Sequence, residues 1–240
     1  MKTLKTRVSV VIAAYNEEKY IARCLASVKN QTYNNIEAIV VSNGSTDKTA
    51  EISRVYTPYV YEIPEQSISK AKNLGISKSF GEIIAFLDAD TTMENSLIEK
   101  AVACMDEGKY SGGKAKIYPD ENTLTNKLYY NYVNFCSQFS RFLTLFNPAL
   151  INGAGIFMFT DKAYMQRIRY RHGKAFDETK EPMEDVDFLR KLRMEKPLKF
   201  IVDSYVMTST RRLSNEGFLK RFMADYIEYF NPKGNRTSYR

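Results

Sequence analysis

The 240 residues carry 44% hydrophobic and 26% charged side chains, the balance of an ordinary globular chain long enough to bury a sizeable core. The net charge of +7 is spread along the sequence, with only a modest cluster at 233–240, and no nucleic-acid-binding motif accompanies it, so a nucleic-acid partner is not expected. Cys24, Cys104 and Cys136 sit in apolar helical patterns without a CxxC pair, which reads as core thiols in a reducing compartment rather than a disulfide framework.

Residues 1–7 are polar and basic, and the apolar run 8–14 that follows is too short for a signal sequence or a membrane span. It predicts a first strand covered on both faces. Asn16 then reads as the cap of a helix whose first turn carries Glu17 and Glu18 and whose apolar stripe is Tyr20, Ile21, Cys24, Leu25 and Val28. A second strand is predicted over 36–41, and Ser42-Asn43-Gly44-Ser45-Thr46-Asp47 supplies turn chemistry ahead of a helix through Val55. Residues 60–63 read as a third strand. Ile68, Ala71, Leu74 and Gly75 follow at helical spacing, with Gly81 as the stop. The fourth strand, 83–87, ends directly on Asp88-Ala89-Asp90.

This alternation predicts an α/β fold with a mainly parallel central sheet flanked by helices. Further on, 124–146 reads as a long aromatic helix ending before Pro148. Residues 155–160 and 198–206 read as strands, and 184–193 and 218–230 as helices. The stretch 170–174, with the single histidine His172, reads as a loop. No repeat or linker divides the chain, so 1–240 is taken as one domain.

Ligands of open parallel sheets bind beyond the carboxyl ends of the strands. Asp88 and Asp90 stand at such an end, where two carboxylates can hold a hard cation such as Mg²⁺ or Mn²⁺ against a diphosphate. Capping of the next helix would use the same residues. The loop 42–47 fits a base or ribose contact, and equally a plain turn. Glu184-Asp185 opens a helix with Val186, Phe188, Leu189 and Leu192 on its apolar face, so it reads either as a cap or as a general base. Arg211-Arg212 can clamp a departing diphosphate or form a solvated basic turn.

Taken in order, several segments resemble glycosyltransferase family 2, whose catalytic domain has the Rossmann-like GT-A fold. They are Val8-Ser9-Val10-Val11-Ile12-Ala13-Ala14-Tyr15-Asn16-Glu17-Glu18, Ile39-Val40-Val41-Ser42-Asn43-Gly44-Ser45-Thr46-Asp47, Lys70-Ala71-Lys72-Asn73-Leu74-Gly75, Phe86-Leu87-Asp88-Ala89-Asp90, and Phe176-Asp177-Glu178 with Glu184-Asp185-Val186-Asp187-Phe188. The resemblance implies an inverting, metal-dependent hexosyltransferase of the small soluble type, with a nucleotide-sugar donor and a glycan, glycolipid or lipid-linked acceptor. It implies a nucleotide-sugar-binding half to about residue 115 and an acceptor-side half from about 116.

Carried over residue by residue, Asp90 and Asp88 would hold Mg²⁺ or Mn²⁺, and Asp185, with Glu184 beside it, would serve as base. Ala14, Asn16, Glu17, Asn43, Ser45, Lys72, Asp88, Ala89, Arg211 and Arg212 would border the nucleotide sugar. Many members carry two aspartates where this chain has Ser42-Asn43. A UDP-sugar is the first expectation, with GDP- and dTDP-sugars open. Of two sequons, at Asn43 and Asn235, the first falls inside this pocket, where glycosylation would be self-defeating, so a cytoplasmic location is expected.

Two rivals frame that expectation. A nucleotidylyltransferase would need a Gly-rich loop where Ala13-Ala14-Tyr15-Asn16-Glu17 stands, and a non-catalytic nucleotide-sugar-binding or regulatory protein would not need Asp185. The aromatic stretch from Leu128 through Phe146 fits a helix covering the sheet or a homodimer contact. It also fits an interfacial helix that places the protein peripherally at a membrane.

Overall fold

The structure is a computed structural model that describes residues 6–144, 155–181 and 183–217, with Lys220 and Met223. In chain order its elements begin β1 Val8–Ala14, α1 Ile21–Lys29, β2 Ile36–Asn43, α2 Thr49–Arg54, β3 Val60–Ile63, α3 Ile68–Lys78 and β4 Ile83–Leu87. Next come β5 Thr91–Met93, α4 Leu97–Asp106, β6 Gly112–Pro119 and α5 Leu124–Leu143. The last are β7 Phe157–Asp161, α6 Lys162–His172, α7 Glu184–Glu195, β8 Leu198–Thr208 and α8 Arg211–Glu216.

The strands form one sheet in the order β3-β2-β1-β4-β7-β6-β8-β5. The pairings β1·β2, β1·β4, β2·β3 and β6·β8 are parallel, and β4·β7, β6·β7 and β5·β8 antiparallel. The expected α/β sheet with helices on both faces is therefore present, its parallel character concentrated in β3-β2-β1-β4.

Alternation along the central strands divides the core in two. Val8, Val10, Ile12, Ile83, Ala85 and Leu87 face Ile21, Cys24, Leu25 and Val28 of α1. Val11, Ile84, Phe86 and Met158 face Ile76 of α3 and Phe188, Leu189 and Leu192 of α7. Both faces of β1 and β4 are thus buried, and each fully buried Ile or Phe contributes about 1.5–3 kcal/mol. Gly75 lets α3 lie close on β1, because a methyl group there would overlap the Val11 side chain.

Several local expectations are corrected. Asn16 does not cap α1: the N-cap is Tyr20, and Asn16 adopts φ 53°, a left-handed conformation that asparagine tolerates. His172 is the last residue of α6, with Gly173 at φ 77° as its stop, rather than part of a loop. Arg211 and Arg212 open α8 instead of forming a turn. The short β5, α4 and β6 occupy 91–119, a stretch to which the sequence pattern assigns no element.

Helix α5 buries Tyr129 and Tyr130 but leaves Leu124, Leu128, Phe135, Phe139 and Phe142 exposed, so it covers the sheet with one face only. The end of its expected span, 145–146, and the expected helix 218–230 apart from Lys220 and Met223 lie outside the described residues. No helix among the described residues is long and apolar enough to cross a membrane.

Candidate functional site

Four segments converge beyond the carboxyl end of β4. The first is Asp88-Ala89-Asp90 itself. Ala89 is buried, whereas Asp88 and Asp90 keep partly open surface. Burial in dense surroundings pushes the Asp88 carboxyl up to about 8; Lys72 pulls it down, while Asp90, Asp185 and Glu184 push it further up. Asp90 Oδ1 lies 3.3 Å from Thr91 Oγ1 and 3.4 Å from Thr208 Oγ1, two hydroxyls that orient it. Its Oδ2 is 3.3 Å from a guanidinium nitrogen of Arg211.

The second segment is the pair of loops after β1 and β2, which are joined through side chains. Ser45 Oγ accepts from the Asn16 N–H at 3.1 Å and donates to the Ala14 carbonyl at 3.3 Å. Asn16 Oδ1 accepts from the Thr46 N–H at 2.9 Å. The left-handed Asn16 backbone makes that reach possible. Ala14, Asn16, Asn43 and Ser45 therefore share one strand-end surface. Asn43 is buried there, and its Oδ1 has no hydrogen-bond partner among the described residues. An orphaned buried amide oxygen costs about 1–3 kcal/mol, so it marks a place where a donor is wanted.

The third segment is the start of α7. Phe176 and Phe188 stack at 4.6 Å, and both meet Phe86 of β4 edge-on at 4.9 and 5.6 Å, which seats α7 beneath the strand that ends in Asp88. Asn73 of α3 holds the same region, donating to the Phe176 carbonyl at 2.8 Å and accepting its N–H at 3.1 Å. Glu184 forms a buried ion pair with Lys72 at 3.0 Å, the side chains 6% and 5% exposed. Burial disfavours the Lys72 ammonium, but Glu184, Asp88 and Asp185 together outweigh it and hold its pKa above the ordinary value.

Asp185 is oriented differently from its neighbour. Its Oδ2 accepts from the Gly155 N–H at 2.6 Å and its Oδ1 from the Val186 N–H at 2.7 Å. Any side chain at 155 would collide with it, since a methyl there falls 2.6 Å from Oδ2. Lys114 on β6 is buried nearby; burial lowers its pKa to about 8, against the opposing pull of the Asp185 charge.

The fourth segment is the start of α8. Arg211 pairs with both oxygens of Glu17, at 2.8 Å through Nη1. Burial nonetheless keeps Glu17 above the usual carboxylate range. Arg212, beside it, is exposed.

The predicted residues thus fall into two groups. Ala14, Asn16, Asn43, Ser45, Asp88, Ala89, Asp90, Asp185 and Arg211 lie at or beside the strand ends, with Arg212 exposed next to them. Lys72, Glu184 and Glu17 are held in internal ion pairs. Sequence reasoning missed Lys114, Gly155, Thr208 and Tyr20. A lysine inside an apolar strand and a Gly in the small-residue run Asn152-Gly153-Ala154-Gly155 were the available signals.

With that geometry in hand, comparison with known proteins is informative. The family model for Glycosyl transferase family 2 matches residues 9–168. The putative glycosyltransferase EpsH of Bacillus subtilis is 39% identical over 98 residues, covering 39% of this chain and 28% of its own. The glycosyltransferase AglE of Haloferax volcanii is 41% identical over 104 residues, covering 40% of this chain and 34% of its own. The chain therefore spans about a third of the length of these curated relatives.

Among solved structures, S. aureus TarS 1-349 in complex with UDP superposes with a TM-score of 0.63 at 19% identity, over 87% of this chain and 62% of that one. The mannosyltransferase PcManGT from Pyrobaculum calidifontis, in complex with GDP-Man and Mn²⁺, gives 0.70 at 16% identity, over 98% and 67%. At such identities these likenesses speak for the fold.

Proposed function

The chain belongs to glycosyl transferase family 2, and on that premise we propose that it moves a hexose from a nucleotide diphosphate sugar to an acceptor hydroxyl with inversion. The observation that carries this reading is the convergence of Asp88-Ala89-Asp90 with Asp185, near enough for its charge to act on Asp88. Asp185 is fixed by two backbone N–H groups, while Asp88 and Asp90 stand at the strand end.

The donor set fits Mg²⁺ or Mn²⁺. Asp88 and Asp90 offer hard carboxylate oxygens, and among the described residues no group of three or more His, Cys, Asp or Glu side chains forms a dedicated cage. An ion held by two carboxylates keeps positions for water and diphosphate oxygens. When bound, the metal would neutralise charge growing on the diphosphate. Arg211, fixed by Glu17 beside Asp90, supplies a further positive charge to the same leaving group.

Asp185 takes the proton of the acceptor hydroxyl as that oxygen attacks the anomeric carbon from the side opposite the diphosphate. The bond to the diphosphate breaks as the new one forms, and the configuration inverts. Its two backbone donors, the N–H groups of Gly155 and Val186, keep the carboxylate aimed.

The orphaned Asn43 Oδ1 supports a base that offers a ring N–H, which uracil, thymine and guanine have and adenine lacks. That keeps a UDP-sugar as first choice, with GDP- and dTDP-sugars beside it. The UDP and GDP-Man named for the TarS and PcManGT structures are of the same class. The acceptor is a glycan or lipid-linked sugar. Exposed Phe135 and Phe139 on α5 support an acceptor carried at a lipid surface, which flotation with anionic liposomes tests.

Calorimetric titration with UDP, GDP, dTDP and ADP, with and without Mn²⁺, tests the donor site. Metal-dependent binding of one of the first three is expected, and no binding by the folded protein refutes the reading. Asp185→Asn should then lower transfer about 10²–10⁴-fold while leaving donor binding intact.

A further inference from the structure

Tyr20 carries no assigned role, yet two guanidinium groups lie over its ring. Arg211 sits with its central carbon 4.8 Å from the ring centroid and Arg23 at 4.7 Å. The arginines come from opposite ends of the chain, and both reach Asp90. Arg211 meets the Asp90 carboxylate at 3.3 Å. Arg23 donates to the Asp90 backbone carbonyl at 3.3 Å and pairs with Asp120 at 2.9 Å. Asp120 in turn accepts from the Thr210 N–H at 2.9 Å and the Thr210 hydroxyl at 3.2 Å, fixing the residue from which α8 and Arg211 begin.

From this arrangement we propose that Tyr20 is a positioning residue for the leaving-group arginine: its ring face sets the plane of the Arg211 guanidinium at the diphosphate site. The proposal rests on the reading of Arg211 as the cation that meets the diphosphate. Glu17 grips Arg211 through two nitrogens, which fixes the guanidinium within its own plane. It leaves tilting about the shared axis free, because a fork of two hydrogen bonds is a hinge. The Tyr20 ring, 4.8 Å from the guanidinium carbon, stands against that freedom. The Arg211 side chain is 39% exposed, so without the ring it can swing toward water and must be ordered again whenever a diphosphate binds. Arg23 steadies the same ring while holding Asp90 by its carbonyl, so the metal ligand and the leaving-group cation share one brace.

Tyr20 caps α1 through its backbone without a side-chain cap bond, so changing the side chain leaves the start of α1 in place.

The test is calorimetric, in Mn²⁺, with whichever of UDP, GDP or dTDP the unsubstituted protein binds, and with the corresponding nucleoside monophosphate. Tyr20→Leu should weaken the diphosphate about tenfold, the loss of a cation–ring contact of about 1–2 kcal/mol, and leave the monophosphate within about twofold. Tyr20→Phe keeps the ring and should bind both as the parent does. Parental diphosphate affinity in Tyr20→Leu overturns the brace alone. So does an equal loss for both nucleotides, which marks general damage to the pocket. An unsubstituted protein that binds no diphosphate overturns the donor reading, and the brace falls with it.

Discussion

Lys72 and Glu184 form a nearly waterless ion pair linking α3 to the first residue of α7, and cutting it from one side has a calculable cost. Replacing Lys72 with methionine keeps most of the side-chain volume beside Phe176, whose ring centre lies 5.1 Å from the ammonium. It leaves Glu184 buried without the countercharge it has at 3.0 Å, its one ion pair among the described residues. Removing one member of a buried pair costs about 3–5 kcal/mol, most of it the desolvated charge left behind. For a chain of this size each kcal/mol shifts the midpoint by about 2–4 °C, so Lys72→Met should melt about 6–20 °C below the parent.

The deficit should be greatest near neutral pH and shrink as the pH falls, because burial already raises the Glu184 pKa and protonation removes the orphaned charge. The double variant Lys72→Met, Glu184→Met exchanges the pair for two apolar chains and should return to within about 1 kcal/mol of the parent. Scanning calorimetry at pH 5 and pH 7.5 reads all of these. A single variant melting within 2 °C of the parent at both pH values would refute the reasoning (that margin is set by about 0.5–1 kcal/mol).

Three further outcomes follow from the same geometry. Gly155→Ala pushes the Asp185 carboxylate aside by about 1 Å and should lower kcat about 10²-fold with donor affinity unchanged, read as nucleoside diphosphate release beside calorimetry; an unaltered kcat contradicts the placement of the base. Because burial holds Asp88 at about 8, an ion binding below that pH must displace a proton. Mg²⁺ affinity should therefore rise about tenfold per pH unit from pH 6 to 8 and then level, and a flat profile argues against Asp88 as ligand. Glu37, buried, accepts from Arg7, Ser9 and the N–H groups of Phe80 and Gly81. Glu37→Ala strands those donors and should cost about 3 kcal/mol or more in urea unfolding, whereas less than about 1 kcal/mol would show that water replaces them.

What the sequence disclosed about this fold tracked how locally each feature is encoded. Val8–Ala14 and Ile83–Leu87 are apolar on both faces, so their burial was readable without any partner. Glu184–Glu195 announced itself through helical spacing. Strand β6 did not, because Lys114 and Lys116 interrupt its apolar run and only the tertiary cover makes a buried lysine there tolerable. The extra helix α6 was hidden by its own charge, with Arg167, Arg169 and Arg171 and only Met165 and Ile168 buried.

The site divides the same way. Asp88 and Asp90 were legible from their place at a strand end. That Glu17 grips Arg211 across 194 residues of chain, or that Asp185 rests on Gly155, depends on packing that no short window contains. Asn16 was misread as a cap because the same side-chain oxygen that caps helices also satisfies the N–H of Thr46, 30 residues on.

The antiparallel seam between β4 and β7 bears on how such chains diversify. It runs from Ile83 opposite Asp161 to Leu87 opposite Phe157 and is made of main-chain hydrogen bonds, which are indifferent to side-chain identity. The strand that ends in Asp88 and Asp90 is thereby joined to the later part of the chain by a seam that tolerates sequence drift. Covariation is demanded where side chains link the two parts, as in Lys72 with Glu184, Ser67 with Glu181, Glu17 with Arg211, Arg23 with Asp120, and the three phenylalanines that seat α7. Recombination between relatives that preserves those stitches can exchange the later part of the chain while β1–β4 stay intact, a modularity written into backbone geometry rather than into a domain boundary.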